Sequence, residues 1–246
     1  MDSDKLPALG GLATRVSLEF AQQGSASEYL AGMWKHNLFC DLFWLALDHE
    51  SKRKDPSTYS APSWSWASVN HPVHYHYHEE SENLAILRDA KVNLENDKSP
   101  FGKATDGWIH LSAIIIHPCT VDDRYKMFFI EQDSRPCIKV QWDPPKYGLP
   151  TSFLMDYANK LSELVAVPLY WVEKSNDPIY NVRGPYYLIL TMAETNSRAS
   201  GDIPRFRRVG AGSPEITRGS DVQLSLVRAM FRRGREQGKL DEIIIE

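Results

Sequence analysis

The sequence predicts an α+β protein: N-terminal helices, then a mainly antiparallel curved sheet or barrel-like β-sandwich, then a C-terminal helix. Two observations carry this. Period-2 apolar segments crowd between Tyr59 and about Gly210, whereas apolar repeats at three- and four-residue steps are confined to the two ends. Turn formers punctuate the middle, at Asn70-His71-Pro72, Asp106-Gly107, Asp143-Pro144-Pro145, Asn176-Asp177-Pro178 and Arg183-Gly184-Pro185. Strands in an unbroken run argue against alternating βαβ units and for segregated helices. With 246 residues the chain can bury a substantial core. We divide it into a helical part at 1–58, a β domain at 59–215, and a helix and tail at 216–246, packed as one compact domain.

In the helical part, Leu6, Leu9, Leu12, Ala13, Val16 and Phe20 form one apolar stripe, and Gly24 stops it. Ser27 is positioned to cap a second helix carrying Leu30, Met33 and Trp34 on its apolar face. Phe39, Phe43, Trp44 and Leu47 continue at helical spacing. Residues 51–57 hold charges and a proline and read as a surface loop.

In the β domain the first expected strand is Ser63–Val69, within Ala61-Pro62-Ser63-Trp64-Ser65-Trp66-Ala67-Ser68-Val69. Alternation would send both indoles to one face and the serines to the other. Such a pair either nucleates the core or forms the aromatic wall of a ligand pocket. Further strands are expected at 73–78, 85–94, 108–117, 127–131, 137–141, 164–173, 186–192 and 206–210. Residues 221–237 read as the last helix. Its Arg228, Arg232, Arg233 and Arg235 read as a solvated face rather than a phosphate site.

Composition narrows the class. Net charge is −4, which gives no electrostatic footprint for nucleic acid. Cys40, Cys119 and Cys137 are widely spaced and odd in number, as expected of reduced thiols in the cytoplasm, and no Cys-x-x-Cys zinc spacing occurs. The N-terminus lacks a signal-peptide pattern, and no apolar run reaches membrane-spanning length.

Chemistry concentrates at His71-Pro72-Val73-His74-Tyr75-His76-Tyr77-His78. On a strand His74, His76 and His78 share one face, opposite Val73, Tyr75 and Tyr77. Three readings stand: solvated histidines, a substrate-facing acid, base or hydrogen-bond donor, and a metal pair completed from elsewhere. No nucleophile elbow, phosphate-binding glycine loop or His-Glu-x-x-His motif is present. Neither a metal nor a cofactor is therefore expected.

Four blocks carry a resemblance. Asp4-Lys5-Leu6-Pro7-Ala8-Leu9-Gly10-Gly11-Leu12-Ala13, Glu28-Tyr29-Leu30-Ala31-Gly32-Met33-Trp34, Tyr59-Ser60-Ala61-Pro62-Ser63-Trp64-Ser65-Trp66-Ala67-Ser68-Val69 and Arg205-Phe206-Arg207-Arg208-Val209-Gly210 occur in this order. They resemble stretches of fungal heterokaryon-incompatibility (HET) proteins, in the region that follows the HET domain; the HET domain itself has no counterpart here. The chain reads as a free-standing version of that region. The resemblance implies an accessory or regulatory interaction module in self/non-self recognition.

The residues themselves favour a pocket enzyme. An aromatic-rich domain without cofactor motifs suits cofactor-free cyclisation or isomerisation of an apolar fungal metabolite, with a Diels–Alder cycloaddition as the sharpest form. Holding two ends of one substrate in reactive geometry supplies roughly 7–11 kcal/mol without nucleophile or metal. The expected substrate-binding residues are Trp64, Trp66, Trp34 and Trp171. His74 and His76 are the expected polar catalytic tips, with Tyr75 in reserve because it faces the other side. The expected partner is the apolar small molecule, with a homodimer allowed.

Overall fold

The computed structural model describes residues 4–46, 59–75, 80–118, 120–121, 126–128, 138–143, 161–174, 183–193, 202–214 and 220–246. His76, His78, Cys119, Cys137, the 51–57 loop and the Asn176-Asp177-Pro178 turn lie outside these residues. The architecture is mixed α+β, with most strands in one large sheet and three α-helices among the described residues.

Helix α1 (Lys5–Gln22) follows the predicted stripe, yet only Leu6 and Ala13 are buried. It ends as expected at Gly24, whose φ of +70° suits a residue without a Cβ. Gly24 N–H donates to Ala21 O and Ser25 N–H to Phe20 O, the paired bonds that close a helix C-terminus. The predicted second helix is absent. Strands β1 (Tyr29–Leu30) and β2 (Met33–Trp34) form an antiparallel ribbon instead. Its two-residue turn places Ala31 at φ +43° and Gly32 at φ +101°, the twist that reverses a hairpin. Ser27 Oγ caps no helix and accepts from His36 N–H at 3.2 Å. A short helix α2 (Leu38–Asp41) follows, then β3 (Trp44–Ala46), so the helical spacing expected through Leu47 breaks after one turn.

The expected strand at 63–69 is also overturned: Trp66–Ser68 is a single 3₁₀ turn within a looped segment. Each serine hydroxyl takes a backbone group that a ladder would otherwise use. Ser60 Oγ donates to Ala67 O, and Ser65 Oγ donates to Ala31 O at 2.6 Å while accepting from Ala67 N–H. Ser63 Oγ accepts from Arg208 N–H at 3.1 Å and donates to Glu246 O.

The sheet forks around this segment. Strands β5 (Glu80–Asn83), β11 (Leu164–Lys174), β12 (Gly184–Met192) and β13 (Arg205–Pro214) pair in that order, all antiparallel. The C-terminal half of β13 continues through β10 (Ile138–Trp142) and β9 (Lys126–Phe128) to β8 (Thr120–Val121). Its N-terminal residues Arg205 and Phe206 pair in parallel with β14 (Asp241–Ile245). Strand β14 pairs with β7 (Ala104–Ala113), which pairs with β6 (Ala85–Leu94). Only Leu84 separates β5 from β6, so the chain turns from one arm to the other there, and its N–H donates to Leu169 O. Register shifts at Leu87/Asp89, Pro168/Tyr170 and Ile189/Leu190 bend the strands. Among the described residues the ladders do not form a closed barrel.

One apolar cluster joins Leu6, the ribbon turn, α2 and Trp64 to both arms of the sheet. Its centre is aromatic: Tyr170 and Tyr186 stack at 5.3 Å, with Phe43 edge-on to Tyr186 at 4.8 Å. Helix α3 (Ser220–Gln237) covers a second cluster of Leu84, Ile114, Trp171 and Phe231. Its arginines are not simply solvated. Arg228 pairs with Glu82 and Glu173 and lies over the Trp171 ring at 5.2 Å, and Arg232 pairs with Glu82. Among the described residues no helix is long and apolar enough to cross a membrane.

Candidate functional site

The fold leaves an open-mouthed depression of about 510 Å³ where α1, the β1–β2 ribbon, α2 and strand β4 (Val73–Tyr75) meet. Phe20 enters from α1, Gly32 and Trp34 from the ribbon, His36 and Asn37 from the turn leading into α2, and Asp41 from the last position of α2. Trp66, Val73 and Tyr75 close the far side.

Each wall has a local cause. Pairing of β4 with β3 sets Leu45 against His74 and Trp44 against Tyr75. Val73 and Tyr75 therefore share the face that lines the depression, and His74 leaves on the other. Trp34 is held by three rings, edge-on to Phe20 at 5.1 Å, inclined to Tyr29 at 5.1 Å and tilted to Phe101 at 6.3 Å. Trp66 Nε1 donates to Gly32 O at 3.1 Å, which turns the indole along the ribbon. That approach requires glycine: a Cβ on Gly32 would stand 2.4 Å from Trp66 Nε1.

The anionic group of the depression is Asp41. Its carboxylate accepts from Asn37 Nδ2 at 2.7 Å and from Trp34 N–H at 3.2 Å. Burial raises its pKa above the ordinary aspartate value; these two hydrogen bonds and nearby His36 offset part of the rise. The His36 ring meets Phe20 edge-on at 4.9 Å at the exposed rim. Two fixed donors on one carboxylate leave further lone-pair positions for a ligand.

Of the residues expected from sequence, Trp34, Trp66 and Tyr75 come together here. Trp64 does not: it is wholly buried in the main cluster, and its indole N–H meets no acceptor among the described residues. Trp171 is buried under α3 with Arg228, away from this lining. Asp41, Asn37, His36 and Phe20 were missed. Asp41 stands among Leu38, Phe39, Leu42 and Phe43, and an acidic residue within such an apolar run was the signal that could have marked it.

A second polar cluster has the residue types of a hydrolase but not the order. Ser112 Oγ donates to one Glu242 oxygen, and His110 Nε2 lies 2.7 Å from the other. The carboxylate stands between hydroxyl and imidazole, so the imidazole cannot take the serine proton. Arg88 joins both Ser112 and Glu242, and the group staples β6, β7 and β14. Cys40 is half-buried, and burial chiefly raises its thiol pKa, which suppresses the reactive thiolate. Among the described residues no three His, Cys, Asp or Glu side chains gather as a metal-holding group.

Comparisons with protein-family models, curated proteins and solved structures find no match to this chain.

Proposed function

We propose that the chain binds a small, largely apolar organic molecule in this depression and acts on it without a cofactor, as a cyclase or isomerase. The observation that supports this is the convergence of Phe20, Trp34, Trp66 and Tyr75 around one partly buried carboxylate. Ligand sites have this character: rigid aromatic walls with a few placed polar groups. The walls would fold a polyene or diene–dienophile substrate into reactive geometry, which lowers the barrier to cyclisation. Asp41, with Asn37 behind it, would accept a hydrogen bond from a hydroxyl or take up a proton at the ligand's polar end.

The test uses the purified chain with polyene and polycyclic metabolites, read by tryptophan fluorescence and by product analysis. The reading expects ligand-dependent quenching and faster cyclisation. It expects Asp41→Asn to slow turnover by about 10²–10⁴-fold, as for loss of a positioned acid–base group. No ligand and no acceleration would overturn it.

One observation favours a second reading, the interaction module that the HET resemblance implies. Leu9, Leu12 and Leu18 on α1 and Leu226 and Met230 on α3 are exposed. A stoichiometric protein partner lost on Leu12→Glu would favour that reading.

A further inference from the structure

We propose that the ligand carries an organic ammonium group, and that this cation sits in the depression against Trp34, Trp66 and Tyr75 with Asp41 as its counter-charge. The proposal rests on the small-molecule reading above and names the chemical class of the ligand's polar end.

Three features favour a cation over a neutral polar group. The wall is built of π-systems, whose faces attract an alkylammonium within about 6 Å of the ring centre. Trp66 has already spent its one donor on Gly32 O, so what it offers a ligand is its ring, not a hydrogen bond. The acid group is an aspartate with two donors fixed on it, and among the described residues no lysine or arginine lines the same space. Lys35, next in sequence, is bound to Glu28 at 2.8 Å. An anion would face Asp41 with only the exposed His36 to offset it, and a neutral ligand would leave the partly desolvated carboxylate with its two hydrogen bonds and His36 but no cation seated on it. A methylated ammonium satisfies both the rings and the charge.

The experiment is calorimetric titration of the full chain with choline and with 3,3-dimethylbutan-1-ol, its uncharged isostere. The apolar dye N-phenyl-1-naphthylamine serves as an independent reporter of the depression. Choline is expected to bind at least about tenfold more tightly than the isostere and to displace the dye. Asp41→Asn should bring choline and the isostere to equal affinity. Trp66→Phe, which keeps a weaker ring, should lose less choline affinity than Trp66→Leu. Equal binding of the two probes, or dye binding that choline fails to displace, overturns the cation and leaves the apolar-ligand reading intact. Absence of binding by all three overturns both.

Discussion

At the scale of single residues, two positions that look ordinary in sequence hold the site and the fork together. Arg208 is buried with its guanidinium on Asp143 at 2.8 and 3.1 Å, on the Leu42 and Trp44 carbonyls, and 3.5 Å over the Trp44 ring. Removing it takes the guanidinium donors from a nearly buried Asp143 carboxylate and from two backbone carbonyls, so Arg208→Ala should cost about 3–5 kcal/mol in denaturant unfolding. The double variant with Asp143→Ala should lose less than the sum of the single losses. Gly32 is the second. With its φ at +101° and Trp66 Nε1 in the way of a Cβ, Gly32→Ala should destabilise by about 1–3 kcal/mol and weaken dye binding. Asp41 adds a pH signature. Its pKa is raised on folding, chiefly by burial, so the folded state prefers the protonated form. Stability should therefore fall as pH climbs from the unfolded value near 3.8 through the raised one. His36, Asn37 and the Trp34 N–H face this carboxylate and reduce the effect. Asp41→Asn should abolish this component of a stability-versus-pH profile, and an unchanged profile would rule it out.

At the scale of elements, legibility followed how local the cause was. Strand β6 runs Ala85–Leu94 as its alternation predicts, and α1 stops at its glycine. Gly24→Ala should accordingly cost about 1–2 kcal/mol, because a Cβ is strained at φ +70°. The ribbon at 29–34 defeated the helical reading because the i, i+3, i+4 spacing of Leu30, Met33 and Trp34 suits a helix face, while a turn at 31–32 sets Leu30 opposite Met33 in a hairpin. What decides between them is the Ala31-Gly32 turn. The serine-tryptophan segment failed as a strand for a different reason: its hydroxyls had partners on the ribbon, on β13 and beyond β14. Those partners are about 30 to 180 residues away, beyond any local pattern. Strand β14 was missed because the short run Asp241–Ile245 reads as a tail after a helix. Yet Ile243 and Ile245 are wholly buried, so Ile243→Ala should cost about 2–5 kcal/mol, whereas Leu226→Ala on exposed α3 should change little.

At the scale of the whole molecule, the last strand lies between β7 and the start of β13, with Glu246 N–H bonded to Phe206 O. Among the described residues, the strand pairing that joins the arm of β6 and β7 to β13 thus runs through residues 241–246. Removing these six residues should abolish cooperative unfolding rather than shift its midpoint, which circular dichroism on heating would read. Refolding should be slow, in the millisecond-to-second range, because most pairings are non-local.

The sequence by itself determined the α+β class, most strand positions, the helix ends and three of the aromatic residues of the depression, because period, turn chemistry and glycine act over a few residues. Only the tertiary structure decided that Trp64 is core and Trp66 is wall, that Tyr75 rather than His74 faces the depression, and that Asp41 lies beside them. Those outcomes depend on which distant backbone a side chain meets, and chain-distant hydrogen bonds and burial leave no periodic trace.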